Sequence, residues 1–288
     1  MNDYLFAFPK AWQIDIGMVI DDAVRKFSRE YEEILNIIKF GAIEAIQAIN
    51  NLLSSLPWFV LILFVIFLGY IASKKIKTGL VYGAMLFFIG TFGLWENMIE
   101  TISLVIVAVC ISLAVGFPIG IFIAMSKRAD NIIRPALDLM QTMPAFVYLI
   151  PAVLLFGAGI MPALMATVIY SIVPMIRMTS HGIVHVDQEV REAAIAFGST
   201  KMQALVKVQI PQALPTIMTG VNQTIMMAMS MVVTSAIIGV RGLGMEILIA
   251  TNRVEMGKAL LPGISIVFIA IILDRITQGI TKKNEVSE

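Results

Sequence analysis

Long stretches of this chain carry no formal charge, and that limits what it can fold into more than any other feature. They run from Ala45 to Ser73, Thr78 to Trp95, Thr101 to Ser126, Leu139 to Ile176 and Val208 to Val240, with a shorter one from Ala259 to Leu273. A helix needs about 20 apolar residues to cross a bilayer core of about 30 Å, and most of these stretches suffice. Of the 288 residues, 58% are hydrophobic and 14% charged, against about 25% charged in an average soluble domain. A soluble core of this size cannot hide that much apolar surface. The expectation is an all-α, polytopic membrane protein.

The run from Leu139 to Ile176 is too long for one crossing at about 1.5 Å of rise per residue. It breaks at Gly157-Ala-Gly-Ile-Met-Pro162, where glycine and proline supply turn chemistry. About seven spans result: 57–73, 78–95, 98–125, 135–156, 162–180, 215–238 and 259–279. Alternate connections carry Lys74, Lys75 and Lys77, then Lys127, Arg128 and Arg134, then Arg191, Lys201 and Lys207, then Lys282 and Lys283. Their excess of Lys and Arg places them in the cytoplasm. The opposite connection 239–258 carries Arg241, Arg253 and Lys258, an exception to the rule. An odd number of spans leaves residues 1–55 outside. No cleavable signal peptide is visible there. From Ile16 to Leu53 apolar residues recur at helical spacing, as expected of an amphipathic helix in the outer interface or packed on the bundle. The other reading is a docking surface for an extracellular partner.

Several function classes drop out. The net charge is +1 with no basic patch, so no nucleic-acid partner is expected. The single cysteine, Cys110, excludes an intramolecular disulfide and reads as a small core residue. Gly257-Lys258-Ala259 lacks the upstream glycine and the Ser/Thr of a phosphate-cradling loop. His181 and His185 share a helix face but have no third ligand nearby, and they read as interfacial residues. Asp138, Arg177, Asp274 and Arg275 lie near span ends, where such groups snorkel or pair. Gly116 and Gly120 form a G-x-x-x-G match that favours close helix packing.

Two segments carry candidate function. Span 215–238 holds polar residues among methionines, and polar groups within a span face the bundle or a watery path. Asn222, Gln223, Met226, Ser230 and Thr234 are the candidate translocation path, with ordinary helix-to-helix hydrogen bonding as the other reading. The second segment is the cytoplasmic loop 187–212, rich in helix formers. Asp187 can cap a helix through Phe197, which Gly198 ends. A second helix follows from about Thr200 to Gln209, and Pro211 and Pro215 punctuate the entry to the next span.

Glu192-Ala193-Ala194, Gly198 and Val208-Gln209-Ile210-Pro211 resemble the EAA loop of binding-protein-dependent ABC importer permeases. Val208 and Ile210 replace that pattern's Ile and Leu conservatively. The stretch from Leu137 to Pro151 (Leu-Asp-Leu-Met-Gln-Thr-Met-Pro-Ala-Phe-Val-Tyr-Leu-Ile-Pro) is similar to the glycine betaine and proline betaine branch of that family. So are the segments Ala196–Thr200, Asn222–Met226, Met229–Val233 and Gly242–Gly244.

The resemblance implies a type I importer permease in a prokaryotic inner (plasma) membrane. It implies a core of five helices over 96–280, two accessory helices over 56–95, the extracytoplasmic segment 1–55 and a cytoplasmic tail 281–288. Glu192, Ala193, Ala194, Gly198, Ile210 and Pro211 would mark the ATPase-coupling loop. The implied partners are two ABC ATPase subunits, an extracytoplasmic substrate-binding protein and a second copy of the chain, all working at membrane lipid. ATP and Mg would be bound by the partner ATPase, with no cofactor, metal site or catalytic residue in this chain, which is a transport subunit and not an enzyme. An aromatic cage for the substrate is expected in the binding protein. The implied substrates are glycine betaine and proline betaine-type compatible solutes. Carnitine, choline or proline would suit the same machine. An ion-coupled secondary transporter is the rival class, but the intramembrane acids or inverted repeats expected of it are not obvious.

Overall fold

The computed structural model describes residues 16–285, with side chains described to residue 279, and every regular element among them is helical. Residues 1–15 and 286–288 lie outside it, so the start of segment 1–55 and the end of tail 281–288 are not described, nor are the side chains of Lys282 and Lys283.

Helices α1 (Gly17–Glu30) and α2 (Glu32–Ser55) divide the expected amphipathic segment at Tyr31. Nothing in α1 is buried; α2 lays Ile46, with Leu35, Ala42 and Ile49, on Val107, Ala108 and Leu164 of the bundle. A bend of 100° then leads into α3 (Trp58–Ser73), which forms a hairpin with α4 (Ile76–Thr91). The glycines of the expected span 78–95 are what this hairpin is built on. A Cβ on Gly79 would stand 2.4 Å from the Ile66 carbonyl oxygen, and one on Gly83 2.6 Å from the Ile66 side chain. Gly93, at φ +71, closes the end of α4.

Helix α5 (Trp95–Met125) packs along α8 (Ile160–Val184), and the G-x-x-x-G match is the seam. Gly120 lets α5 approach Thr179 and Ile176, and Gly116 faces Met175. Cys110 is not in the core. It is exposed on the outer face of α5, because Val107, Ala108 and Val109 take the inward positions.

The expected span 135–156 is not one helix. Residues Lys127–Thr142 form α6, Ala145–Tyr148 a 3₁₀ turn and Leu149–Phe156 the short α7, with a bend of 112° between the two arms. Pro144 is the cause: its ring disfavours helical geometry at the residue before it, and Met143 is extended (φ −70, ψ 135). Gly157 (φ +76) and Gly159 (φ +132) then make the expected turn into α8.

After α8 come α9 (Gln188–Ala196) and α10 (Lys201–Ala204), then a π turn at Leu205–Gln209 and α11 (Ile210–Ser235). The expected punctuation at Pro211 does not interrupt this run, which is helical from Lys201 to Ile238. The wider turn gives the room that a proline needs, since the Ile210 N–H reaches back to the Leu205 carbonyl. The connection 239–258 contains α12 (Leu243–Asn252), whose first residues are buried, before α13 (Met256–Glu285).

Four helical runs are long and apolar enough to cross a membrane: α5, α8, the run through α11, and α13. Counting each bent pair as one span raises this to six. Helix α4, with 16 residues, reaches about 24 Å at 1.5 Å per residue. Ile89, Leu104, Met229, Leu243 and Ile269, all fully buried, join α4, α5, α11, α12 and α13 into one core.

Candidate functional site

The loop 187–212 is a prong on a fixed root. Asp187 caps α9 by accepting the Glu189 N–H at 2.9 Å. Gly198, at φ +86, ends α9: its N–H goes to the Ile195 carbonyl and the Ser199 N–H to the Ala194 carbonyl. Those two bonds satisfy carbonyls that a helix end leaves unpaired, and the positive φ is the conformation a side chain disfavours. Thr200 then opens α10 through a reciprocal cap with Gln203, Gln203 N–H to Thr200 Oγ1 at 3.2 Å and Thr200 N–H to Gln203 Oε1 at 2.9 Å. The two helices are joined through residues 197–200, and every N–H from Phe197 to Thr200 is hydrogen-bonded.

Helix α9 buries nothing. Glu192, which accepts from Gln188 Nε2 at 2.6 Å, and Ala193 are exposed, and Ala194 is half-buried. Phe197 is 92% exposed at the tip, flanked by exposed Ile195 and Met202. An apolar tip this bare suits a partner's surface better than water. The root is different. Leu205 and Ala213, with half-buried Ile210, pack on Met175, Ile183 and Ile217, and Pro211 sits at the exposed edge. Glu192, Ala193, Ala194 and Gly198 therefore belong to the prong, and Ile210 and Pro211 to the root.

The other candidate residues divide as well. Asn222, Gln223 and Met226 line a cavity of about 720 Å³ in the half of the bundle that carries the loop. Ser230 and Thr234 lie farther along α11 and outside it, Ser230 bonding back to the Met226 carbonyl at 3.0 Å. Thr219, Gln223, Met226 and Ser230 follow one another along a single exposed face of α11. The cavity also recruits Gln141 from α6 and Asp274 and Gln278 from α13, which the sequence reading had not joined to it. Gln141 is polar inside an apolar run, whereas Asp274 and Gln278 lie just beyond the run that ends at Leu273. The pairing expected of span-end charges holds for Asp138, which takes a hydrogen bond from Arg177. It does not hold for Asp274, whose carboxylate accepts from Gln278 at 2.7 Å and makes no ion pair among the described residues.

A second cavity of about 670 Å³ lies between α5, α6 and the end of α8, bordered by the Asp138–Arg177 pair and by His181 and His185. The two imidazoles stack at 3.9 Å, and His185 Nδ1 lies 2.8 Å from the His181 carbonyl oxygen.

Residues 116–285 match the family described as binding-protein-dependent transport system inner membrane component. The glycine betaine/carnitine transport permease protein GbuB of Listeria monocytogenes is 44% identical over 91% of this chain and 93% of its own length. The glycine betaine/proline betaine transport system permease protein ProW of Escherichia coli is 49% identical over 67% of this chain and 54% of its own length. Among solved structures, an inward-facing MetNI methionine ABC transporter chain aligns with a TM-score of 0.51 at 19% identity. The alignment covers 64% of this chain and 90% of that one, and it speaks for the fold.

Proposed function

From the premise that this chain belongs to the binding-protein-dependent transport system inner membrane component family, we propose that it carries glycine betaine and related methylated compatible solutes through the inner membrane. The observation that carries the substrate is the 44% identity to a glycine betaine/carnitine permease along nearly the whole of both chains. Carnitine, which also figures in the name of that relative, is the second substrate to test. The chain works as the permease subunit of an ABC importer. Two copies pair, two ATPase subunits bind ATP and Mg, and an extracytoplasmic binding protein delivers the solute.

The helical run Lys201–Ile238 supports a mechanical account of coupling. Its first turns form the root of the prong, and its middle turns carry Asn222, Gln223 and Met226. An ATPase that grips Glu192–Phe197 and moves it displaces Thr200 through the Gly198 turn. The displacement passes along α11 to the cavity wall, because no flexible linker intervenes. Alternating access follows when the two copies move together. The exposed polar face of α11, from Thr219 to Ser230, would cost several kcal/mol against lipid tails, which favours a second copy or a watery path beside it.

The test is uptake. The chain, co-produced with its ATPase and binding protein in cells lacking other betaine carriers, should accumulate radiolabelled glycine betaine under high salt. Uptake of an unrelated solute, with no competition from glycine betaine or carnitine, would refute the substrate and leave the transporter class standing.

A further inference from the structure

We infer that the cavity between α6, α11 and α13 is a transit site inside the membrane for a small zwitterion with a methylated ammonium group, with Asp274 as its anionic anchor. The inference rests on the functional reading above and deepens it. Among the described residues lining this cavity of about 720 Å³, Asp274 alone is charged. A half-buried carboxylate near the end of a span is costly unless something positive or several donors meet it. Here it meets a single side-chain donor, Gln278 Nε2 at 2.7 Å, and no cation stands within ion-pairing distance of it among the described residues.

Facing it on α11 are Asn222 and Gln223 with Met218, Met226 and Met227, and Gln141 approaches from α6. Asn222 Oδ1 is buried without a hydrogen-bond partner; the solute has no N–H or O–H to offer it, so a water carried in with the solute is what would relieve that cost. The chemistry of the wall matches the two ends of the solute. A carboxylate attracts an ammonium that has no N–H to donate, since that attraction is coulombic and needs no hydrogen bond. Thioethers give soft, polarizable contact to N-methyl groups. The amide NH₂ groups of Gln141, Asn222 and Gln223 can donate to the solute's own carboxylate. The cavity holds no aromatic cage, and its volume exceeds that of such a solute. Both features suit brief, weak occupancy on the way through.

The permease–ATPase complex in lipid nanodiscs, without binding protein, tests this with glycine betaine as the probe. Saturation-transfer NMR should show contact to the N-methyl protons in the wild type. Asp274→Asn should abolish that signal and lower uptake in proteoliposomes about tenfold or more, as expected for a lost charged contact. Asp274→Glu should restore part of both. Co-purification with the ATPase reports folding, and if Asp274→Asn fails it, Gln141→Leu on the opposite wall should give the same paired loss. Wild-type signal and uptake in these variants would overturn the site, as would loss of uptake with the N-methyl signal intact. A wild-type complex that takes up no glycine betaine would instead sink the substrate reading, and this inference with it.

Discussion

Thr101 on α5 and Leu243 at the start of α12 are joined across 142 residues by a buried hydrogen bond, Leu243 N–H to Thr101 Oγ1 at 2.9 Å. The same hydroxyl donates to the Asn97 carbonyl at 2.7 Å, so both of its roles are used. Gly242, at φ +121, brings the backbone there; a Cβ would stand 2.6 Å from Thr101 Oγ1. Thr101→Val keeps the shape and strands the Leu243 N–H, which should cost about 1–3 kcal/mol. Thr101→Ser should cost much less. Thermal unfolding of the purified protein in one detergent ranks the two, and equal midpoints would show that the bond does not hold α12 in place.

Helices α5 and α8 approach each other through Gly120. A Cβ there would lie 2.6 Å from Thr179 Cβ and 2.8 Å from the Ile176 carbonyl oxygen, atoms that cannot swing aside. Gly120→Val should therefore destabilise by about 1–3 kcal/mol or block folding, as overpacking does. Gly116→Ala would meet Ile172 Cγ1 and the Met175 Cβ and Cγ at 3.1 Å, an overlap that a small shift of the neighbours relieves, and should be milder. Expression level and thermal midpoint separate the two. A harmless Gly120→Val would mean the two helices have slack that the packing does not show.

Much of this architecture is readable from the residues, and the exceptions have identifiable causes. The apolar runs place α3, α5, α8 and α13, and Gly198 ends α9 because a positive φ there is a local requirement. The pattern from Ala196 to Pro211 fixes the prong for the same reason: its caps involve near neighbours. Pro144 was hidden inside an apolar run, where composition reads through a proline that the backbone cannot ignore. Helix α12 sits in what reads as a connection because its burial depends on Thr101, far away in sequence. Cys110 faces outward because rotation about α5 decides it, and an all-apolar helix has no polar face to show which way it is turned. The cavity is the least legible part. Gln141, Asn222 and Asp274 lie on three helices, and only the fold brings them together.

The Lys/Arg distribution sets an expected orientation. Cysteines placed at Ser28 and at Ser199 in a background with Cys110→Ser should react with an impermeant maleimide from opposite sides of the membrane. Ser28 is on α1 and Ser199 follows the Gly198 turn, and both are partly accessible. Labelling of the Ser199→Cys variant from outside intact cells would reverse the topology and with it the assignment of the prong to the ATPase side.

The most demanding prediction concerns Gly198. Because its φ is +86 and nothing lies within 4 Å of where a Cβ would stand, a side chain there meets no steric obstacle in the subunit; what it meets is backbone strain. That strain is about 1 kcal/mol for alanine, less for asparagine, which tolerates this region, and more for a β-branched residue. A change in the subunit's own stability should therefore be small and should rank Asn, Ala, Val. Coupling should rank the same way but far more steeply, since the turn sets the angle between the exposed Phe197 tip and the root at Leu205. Glu192→Lys should be as damaging without touching the turn, because it reverses the charge on the face offered to the partner. Removing one side of a buried charged contact costs about 2–5 kcal/mol. In the reconstituted complex, Gly198→Val and Glu192→Lys should lose either ATPase association or the stimulation of ATP hydrolysis by loaded binding protein, with membrane insertion intact. If Gly198→Val assembles and couples like the wild type, the rigidity of this turn carries no force, and the prong is not the coupling element.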